Sequence, residues 1–442
     1  MCQVPDTTSA ERGLDDDDAA PCRLLDTAEG GCYYSVTMDL GRRQPRRRTG
    51  SNPIRVFILL VLIGLGLYVL TIRPETIPQP FQPTPTPTRT AAHYAGEAAG
   101  FYQEGKLDLA IQAYEEAVRR DPTVVDYYVA LTRLLVFRNR LDEALDYADT
   151  ALFVSPESAL ARATRAMAMD WKSSALANDG LQEDAADLLR AALNEANKAV
   201  EQAPSLAVAY AYLAEIQFDL GNYQNADEAI RTALLIDDAS LDVQRIAGYL
   251  SELRGYRAEA VDHYQKAIEL HSRLALLHHS LGRTYIGLGD IDAAIDSLET
   301  AIALDPANAE YLYWMGYAYF TIGEREFAAD YFEQAIEVRP NYPGARCQLG
   351  LIYYQQRNWE AAVPELETGV EGYGDRITYR NAFCYYTLGL SYFYLARCEE
   401  AYPLFEAVLA VIPDNNPSLE GIRLCKEAGS TSTPVNTPTP TP

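Results

Sequence analysis

Leu281-Gly282, Tyr285, Gly289, Ala294, Leu298, Ala301 and Pro306 are followed by Met315-Gly316, Tyr319, Gly323, Ala328, Phe332, Ala335 and Pro340, one pattern written twice at an offset of 34 residues. Leu312, Met315, Gly316 and Tyr319 stand at spacings of three, one and three, which puts them on one face of a helix. Gly316 lets a second helix approach closely, and Ala328 and Ala335 do the same from the other side. Gly323 ends the first helix and Pro340 stops the second. A hairpin of this size cannot hide its apolar stripe alone, so the units must stack.

The small residue of the second helix tracks the period along the chain. It recurs at Ala110 and Ala144, then at Ala226, Ala260, Ala294, Ala328 and Ala362, each step within a group being 34. From Ala144 to Ala226 the step is 82, two periods plus 14, so one repeat carries an insertion. Leu160 to Lys172 reads as its first helix and Glu183 to Glu201 as its second, joined by a Ser/Asn/Gly segment, Ser173 to Gly180. The step from Ala362 to Ala401 is 39, and the surplus of five falls on Glu371-Gly372-Tyr373-Gly374-Asp375. Nine units follow from this count. Asn416 to Ala428, opened by Asn416-Pro417 and stopped by Gly429, reads as a further helix covering the end of the stack.

A Leu-Gly pair, a Tyr, a small Ala, an aromatic and a closing Pro at this period resemble the tetratricopeptide repeat. The resemblance implies an all-α, right-handed solenoid of helical hairpins over residues 91–429, about nine repeats with a capping helix. Departures are local: the third unit lacks the Leu-Gly pair, the fourth has Ala214 and Asp238 at the Gly and Pro positions, and the eighth has Leu366 for the aromatic.

In this family the first helices line a concave groove that receives peptides or protein segments, so the groove residues are the second, fifth, ninth and twelfth of each unit. That gives Glu310, Tyr313, Tyr317 and Phe320 in the seventh unit. The eighth contributes Gly344, Cys347, Leu351 and Tyr354, and the ninth Phe383, Tyr386, Leu390 and Phe393. Tyr313, Tyr317, Phe320, Tyr354, Phe383, Tyr386 and Phe393 are thus the candidate partner-binding residues, since aromatics give large contact area at low entropic cost. The competing reading is that the tyrosines, 31 in the chain, pack between neighbouring hairpins. Early units offer Ala92, Ala95, Ala99 and Tyr102, or Asp126, Val129, Arg133 and Val136, which make no comparable patch. The Lys and Asn with which some tetratricopeptide domains grip a terminal carboxylate are absent from the later units, and the fourth has Ala211 and Glu215 there. That mode is not expected, although His279 and Arg283 of the sixth unit could meet an acidic group.

Charge and chemistry narrow the function. The net charge is −25, and beyond Arg55 the chain holds 29 of its 37 basic and 53 of its 62 acidic side chains. A body this acidic repels phosphate backbones, which argues against nucleic acid as partner. His271, His278 and His279 are close in sequence, but His278 falls on a core position and no Cys or carboxylate completes a metal spacing. No nucleophile elbow, P-loop or dinucleotide fingerprint occurs, so no enzyme activity, cofactor or metal is expected. The seven cysteines make no CxxC pair. Cys398 with Cys425, or Cys347 with Cys384, could pair outside the cytoplasm; buried free thiols packing as small hydrophobes are the preferred alternative.

Ahead of the repeats, residues 1–55 lack periodicity and read as a disordered cytoplasmic segment, Arg-rich toward its end. Met38 opens a more sensible start than Met1, with Arg42, Arg43, Arg46, Arg47, Arg48 and Arg55 leading into an apolar run. Residues 56–72 are uncharged and nearly all apolar, roughly 25 Å of helix, and read as one transmembrane helix. Six arginines before it against Arg73 after it place the N-terminus in the cytoplasm and the repeats outside, at the plasma (inner) membrane. Residues 73–90 form a Pro/Thr-rich stalk able to reach roughly 50 Å as polyproline II, and residues 430–442 a related disordered tail. The function expected is a membrane-anchored scaffold for protein or peptide partners. Binding of a glycan or cell-wall polymer by the aromatic groove, or service as an accessory subunit of an envelope enzyme complex, remain alternatives.

Overall fold

The structure is a computed structural model that describes residues 52–72 and 89–431. The N-terminal segment with the Met38 start, the stalk apart from Arg89 and Thr90, and the tail from residue 432 lie outside the described residues. The chain divides into two compact units, Met1–Thr86 and Pro87–Pro442.

Among the described residues of the first unit the sequence forms one helix, α1 (Pro53–Ile72), of 20 residues. Among the described residues no helix is long and apolar enough to cross a membrane. The transmembrane helix expected at 56–72 is therefore not shown. The fold there is a single continuous helix whose described side chains are all exposed.

The second unit is all helical among the described residues. Its hairpins are α2 (Ala91–Gln103) with α3 (Leu107–Arg120), α4 (Val125–Phe137) with α5 (Leu141–Val154), α6 (Ala159–Asn178) with α7 (Gln182–Gln202), and α8 (Ala207–Asp219) with α9 (Tyr223–Ile236). There follow α10 (Leu241–Leu253) with α11 (Arg257–Leu270), α12 (Ala275–Leu288) with α13 (Ile291–Leu304), and α14 (Ala309–Thr321) with α15 (Arg325–Val338). The stack ends in α16 (Pro343–Gln355) with α17 (Trp359–Tyr373), α18 (Ala382–Tyr394) with α19 (Cys398–Val411), and a last helix α20 (Asn416–Thr431). First helices of successive units also touch one another from α4 through α14 and again between α16 and α18, so they form the inner layer of the solenoid.

Small residues set the spacing within each hairpin. Ala110, Ala144, Ala226, Ala260, Ala294, Ala328, Ala362 and Ala401 are all wholly buried. A Cβ on Gly316 would lie 2.8 Å from Phe332 and 3.1 Å from the Ala328 carbonyl, so the aromatic of the second helix occupies the space that glycine leaves. The turn between helices needs a left-handed residue, and glycine supplies it in most units, as at Gly323 (φ 84°). Asn139, Arg357 and Ala396 adopt the same conformation, φ 56–62°, without that freedom.

Three details differ from the sequence expectation. The 14-residue insertion of the third unit is not a loop. Ser173 to Asn178 continue α6, and both helices grow to 20 and 21 residues where the neighbouring units have 13 and 14. Ala175, Leu176 and Ala177 favour helix, and the Ser173 hydroxyl is taken up by the Ala185 carbonyl at 2.9 Å instead of breaking the helix. In the eighth unit α17 runs on to Tyr373, and the irregular segment is Gly374 to Asn381. Asn381 closes it, donating to the Arg376 carbonyl at 2.7 Å and accepting from Thr378 N at 2.7 Å. The capping helix passes through Gly429 to Thr431.

Cys347 is bonded to Cys384 and Cys398 to Cys425, with Cα separations of 5.3 and 5.6 Å. This overturns the preferred reading of buried free thiols. Neighbouring first helices α16 and α18 bring Cys347 and Cys384 together, and the absent side chain of Gly369 makes the room: a Cβ there would lie 2.4 Å from Cys347 Sγ. The second bond ties the capping helix to α19.

The solenoid coils tightly enough for early units to meet later ones. His271 Nε2 lies 2.9 Å from the Tyr102 carbonyl, and Arg273 donates to the Glu104 carbonyl at 3.0 Å. One unit further on, Arg138 joins Asp108 (2.7 Å) to Asp305 (2.6 Å). Leu274 and Leu277 pack there on Tyr102, Leu107 and Phe137. Inside this turn, groove positions that made no patch in sequence pair with one another. Arg133 bonds Asp242, and Arg245 meets Glu215 at 3.1 Å with both side chains 6% exposed. Beside them Asp170 is buried with Oδ1 unpartnered; burial, then the charges of Asp219 and Glu215, hold its carboxyl well above the usual range. Asp219 is pushed up to about 7 by burial and by Glu215.

Two outcomes are expected for stability. In urea unfolding followed by circular dichroism, Gly316→Ala loses about 1–3 kcal/mol by forcing Phe332 aside. Ala396→Gly gains about 0.5–1 kcal/mol by relieving the left-handed strain. Equal effects of the two would refute the packing described. Asp219 supplies the pH test. Its folded pKa lies above its ordinary value of 3.8, so the folded state holds the extra proton and stability falls as pH rises from about 4 to about 7, by at most about 1.4 kcal/mol per unit. Asp219→Asn should therefore stabilise above pH 7 and gain little at pH 4; parallel stability profiles for variant and wild type would contradict this.

Candidate functional site

Units six to eight leave a large cleft on the inner face of the coil, about 1520 Å³ in volume. Its floor comes from first helices, with Arg283 and Ile286 of α12, Tyr313, Trp314, Tyr317 and Phe320 of α14, and Leu351 of α16. The turns and second-helix ends supply Arg339, Tyr342 and Tyr373, and the irregular segment after α17 supplies Arg376 and Arg380. Across from these stands the tip of the lengthened third hairpin, Ala177 to Asp179 and Gln182. Gly180 at that tip is close enough that a Cβ on it would lie 3.7 Å from Arg376 Cδ. The two places where the 34-residue period breaks thus face each other over the same cleft.

Of the seven expected groove residues the structure brings Tyr313, Tyr317, Phe320 and Phe383 into the cleft wall. Tyr354, Tyr386 and Phe393 do not line it; they are half-buried against the last core cluster, which is the competing reading of packing between hairpins. Tyr313 is itself largely structural, with its ring 5.7 Å from Phe332 and 5.3 Å from Tyr342, and burial raises its hydroxyl pKa. Cys347, placed in the groove by position, is buried in its disulfide, and Gly344 is buried against Tyr313.

Trp314 is the aromatic that position counting missed. It lies 5.5 Å from both Tyr313 and Tyr317, edge to face, and Arg283 sits 5.1 Å over its ring while pairing with Glu252 at 2.9 Å. Tyr342, Tyr373, Arg339, Arg376 and Arg380 were missed for one reason: they stand outside the first-helix face, in turns and in the insertion. The only sequence signal for them is the density of Tyr and Arg between Arg339 and Arg380.

The histidines exchange roles. His278, expected in the core, is half-buried with Nε2 2.8 Å from the Ser272 carbonyl. His279, expected in the groove, is 3% exposed and packs on Tyr311 and Trp314 at 4.9 and 6.4 Å. Burial lowers its pKa to about 4, so it is neutral at pH 7 despite Glu310 at 3.9 Å. Among the described residues no group of three or more His, Cys, Asp or Glu is placed to hold a metal ion.

Sequence patterns of the tetratricopeptide repeat match residues 101–168, 207–240 and 309–342, and a TPR repeat pattern matches 282–323. No curated protein matches the chain. Among solved structures, the human IFIT1 dimer with PPP-AAAA is 16% identical, with 76% of this chain and 82% of that one covered and a TM-score of 0.52. PilF of Pseudomonas aeruginosa is 18% identical over 52% of this chain and 99% of that one (TM-score 0.43). YrrB, described as a TPR protein with an unusual peptide-binding site, is 21% identical over 44% and 98% (TM-score 0.34). At such identities the likeness is one of fold. Residues 101–168, 207–240 and 282–342 of the stacked helical hairpins thus carry tetratricopeptide repeat patterns.

Proposed function

We propose that the protein is a single-pass membrane scaffold, its N-terminus in the cytoplasm and its repeats outside, that holds an extended segment of a partner protein in the cleft of units six to eight. The observation that carries this reading is the cleft itself. Its volume exceeds the roughly 300–1,000 Å³ of small-molecule sites, and its wall combines Tyr317, Phe320 and Phe383 with Trp314, the residue types that anchor protein interfaces.

The membrane attachment rests on α1. Thirteen large apolar side chains between Ile54 and Val69 are exposed on one continuous helix, a surface that lipid would cover. The arginines ahead of α1 favour a cytoplasmic N-terminus. The two disulfides support the outward side, because such bonds persist in oxidising compartments.

Cross-linking from native membranes should capture partner proteins on the intact chain, and Tyr317→Ala combined with Phe383→Ala should reduce capture at least about tenfold with the helical circular dichroism unchanged. Capture that survives the double substitution would remove the cleft from the mechanism. The outward side has its own check: thiol labelling of denatured, unreduced protein should leave Cys347, Cys384, Cys398 and Cys425 unlabelled, and protease added to intact cells should digest the repeats. Replacing Cys347 and Cys384 together by Ser should cost about 3–4 kcal/mol, the loop-closure value for a separation of 37 residues.

A further inference from the structure

The cleft is electropositive within an acidic protein. Five arginines line it, Arg257, Arg283, Arg339, Arg376 and Arg380, against two acidic residues, Asp179 and Glu252, while the whole chain carries −25. Glu252 is already committed to Arg283. Arg339 lies 3.7 Å over the ring of Tyr342. Arg376 spends Nε on the Tyr373 carbonyl (3.0 Å) and Nη2 on the Gly372 carbonyl (3.1 Å), and its Nη1 is enclosed without an acceptor. Among the described residues no carboxylate makes an ion pair with Arg257, Arg339, Arg376 or Arg380. An enclosed guanidinium N–H without a partner costs free energy unless an acceptor arrives. Gln348 Oε1 and Arg283 Nε, in the same wall, are enclosed and unpartnered as well.

Resting on the reading above, we propose that the segment held in the cleft is an anionic peptide, whose carboxylates are taken by Arg376 and Arg380 of the eighth-unit insertion and by Arg339. Its apolar or aromatic side chains lie on Trp314, Tyr317 and Phe320, and a main-chain N–H donates to Gln348 Oε1. Guanidinium forks suit carboxylates geometrically. Their placement is particular to this chain: none of Arg339, Arg376 and Arg380 stands at a first-helix groove position, and two of them come from the segment that breaks the period. A peptide fits better than a nucleic acid because its charge is sparse and interspersed with side chains, whereas a polyphosphate would meet the repulsion of the acidic body along its length.

The test uses the full-length chain in detergent and three fluorescein-labelled peptides, one of Glu, Leu, Tyr and Gly, one with Gln for every Glu, and one with Lys for every Glu, together with a labelled single-stranded oligonucleotide. Anisotropy should show the Glu peptide binding at least about tenfold tighter than the Gln peptide, with affinity falling as salt rises. Arg376→Gln plus Arg380→Gln should abolish most of that preference. Because Arg376 also caps α17, Arg339→Gln plus Arg380→Gln serves as a second variant that leaves the loop closure intact, and it should weaken the Glu peptide alone. Equal binding of the Glu and Gln peptides, tighter binding of the oligonucleotide, or arginine variants without effect would each overturn the proposal. If capture in native membranes still depends on Tyr317 and Phe383 in that event, the scaffold reading stands and the anionic partner alone is lost; if it does not, both fail.

Discussion

The close approach of two helices across a seam of small residues is the constraint on which this structure depends. Where Ala328 and Gly316 face each other, Phe332 enters the gap and fills it. The same arrangement recurs with Leu298 against Gly282, Leu366 against Gly350 and Phe405 against Gly389. Because the seam fixes the separation within a hairpin, the apolar faces left on its two sides can be buried only by the next hairpin, and the chain becomes an array. Larger side chains at the seam would spread the helices and change the pitch of the coil. The register by which residue 102 meets residue 271 is thus set far from either of them.

That register divides the inner face in two. In the first turn the groove positions find complements of opposite sign within the same chain, Arg133 with Asp242 and Arg245 with Glu215, so the concave side closes on itself. Isolating such charges from water is unfavourable unless each is paired, and burial beside Glu215 accordingly raises the carboxyl pKa of both Asp170 and Asp219. Beyond the sixth unit the inner face turns aromatic and the opposite wall is a single hairpin tip, so the space stays open. The cleft exists because the coil has run past the point at which it fills its own interior.

The period made most of the fold legible. Steps of 34 between buried alanines mark every regular hairpin, and Pro306 and Pro340 follow the C-cap residues of α13 and α15, Asp305 and Arg339. What the sequence hid was the path of the irregular stretches. Ser173 and Ser174 suggested a loop, yet with Ala175 to Ala177 behind them the cheaper course was to lengthen the helix, since every residue added gains a backbone hydrogen bond. The cysteine pairs were visible as possibilities only, because bonding depends on Gly369 clearing the space between α16 and α18. Position counting along a straight first-helix face names four of the seven aromatics that line the cleft, Tyr313, Tyr317, Phe320 and Phe383, whereas Tyr354, Tyr386 and Phe393, which it also names, lie half-buried against the last core cluster.

The irregular stretches are where this chain departs from a generic array. A solenoid of strictly identical units presents the same inner surface at every step and can discriminate a partner only by the side chains it repeats. Fourteen residues inserted in the third unit and five in the eighth break that equivalence, and the coil brings the two breaks together across one cleft. The lengthened α6 and α7 put a wall where an ordinary hairpin would leave solvent, and the segment Gly374–Asn381, closed by Asn381 and by the Tyr385 hydroxyl donating to the Gly374 carbonyl at 2.5 Å, holds two arginines at its rim. Neither insertion alone would enclose anything. Since each lies on a different turn of the coil, their meeting requires the pitch set by the small-residue seam, which ties the chemistry of the cleft to the packing of helices that never touch it.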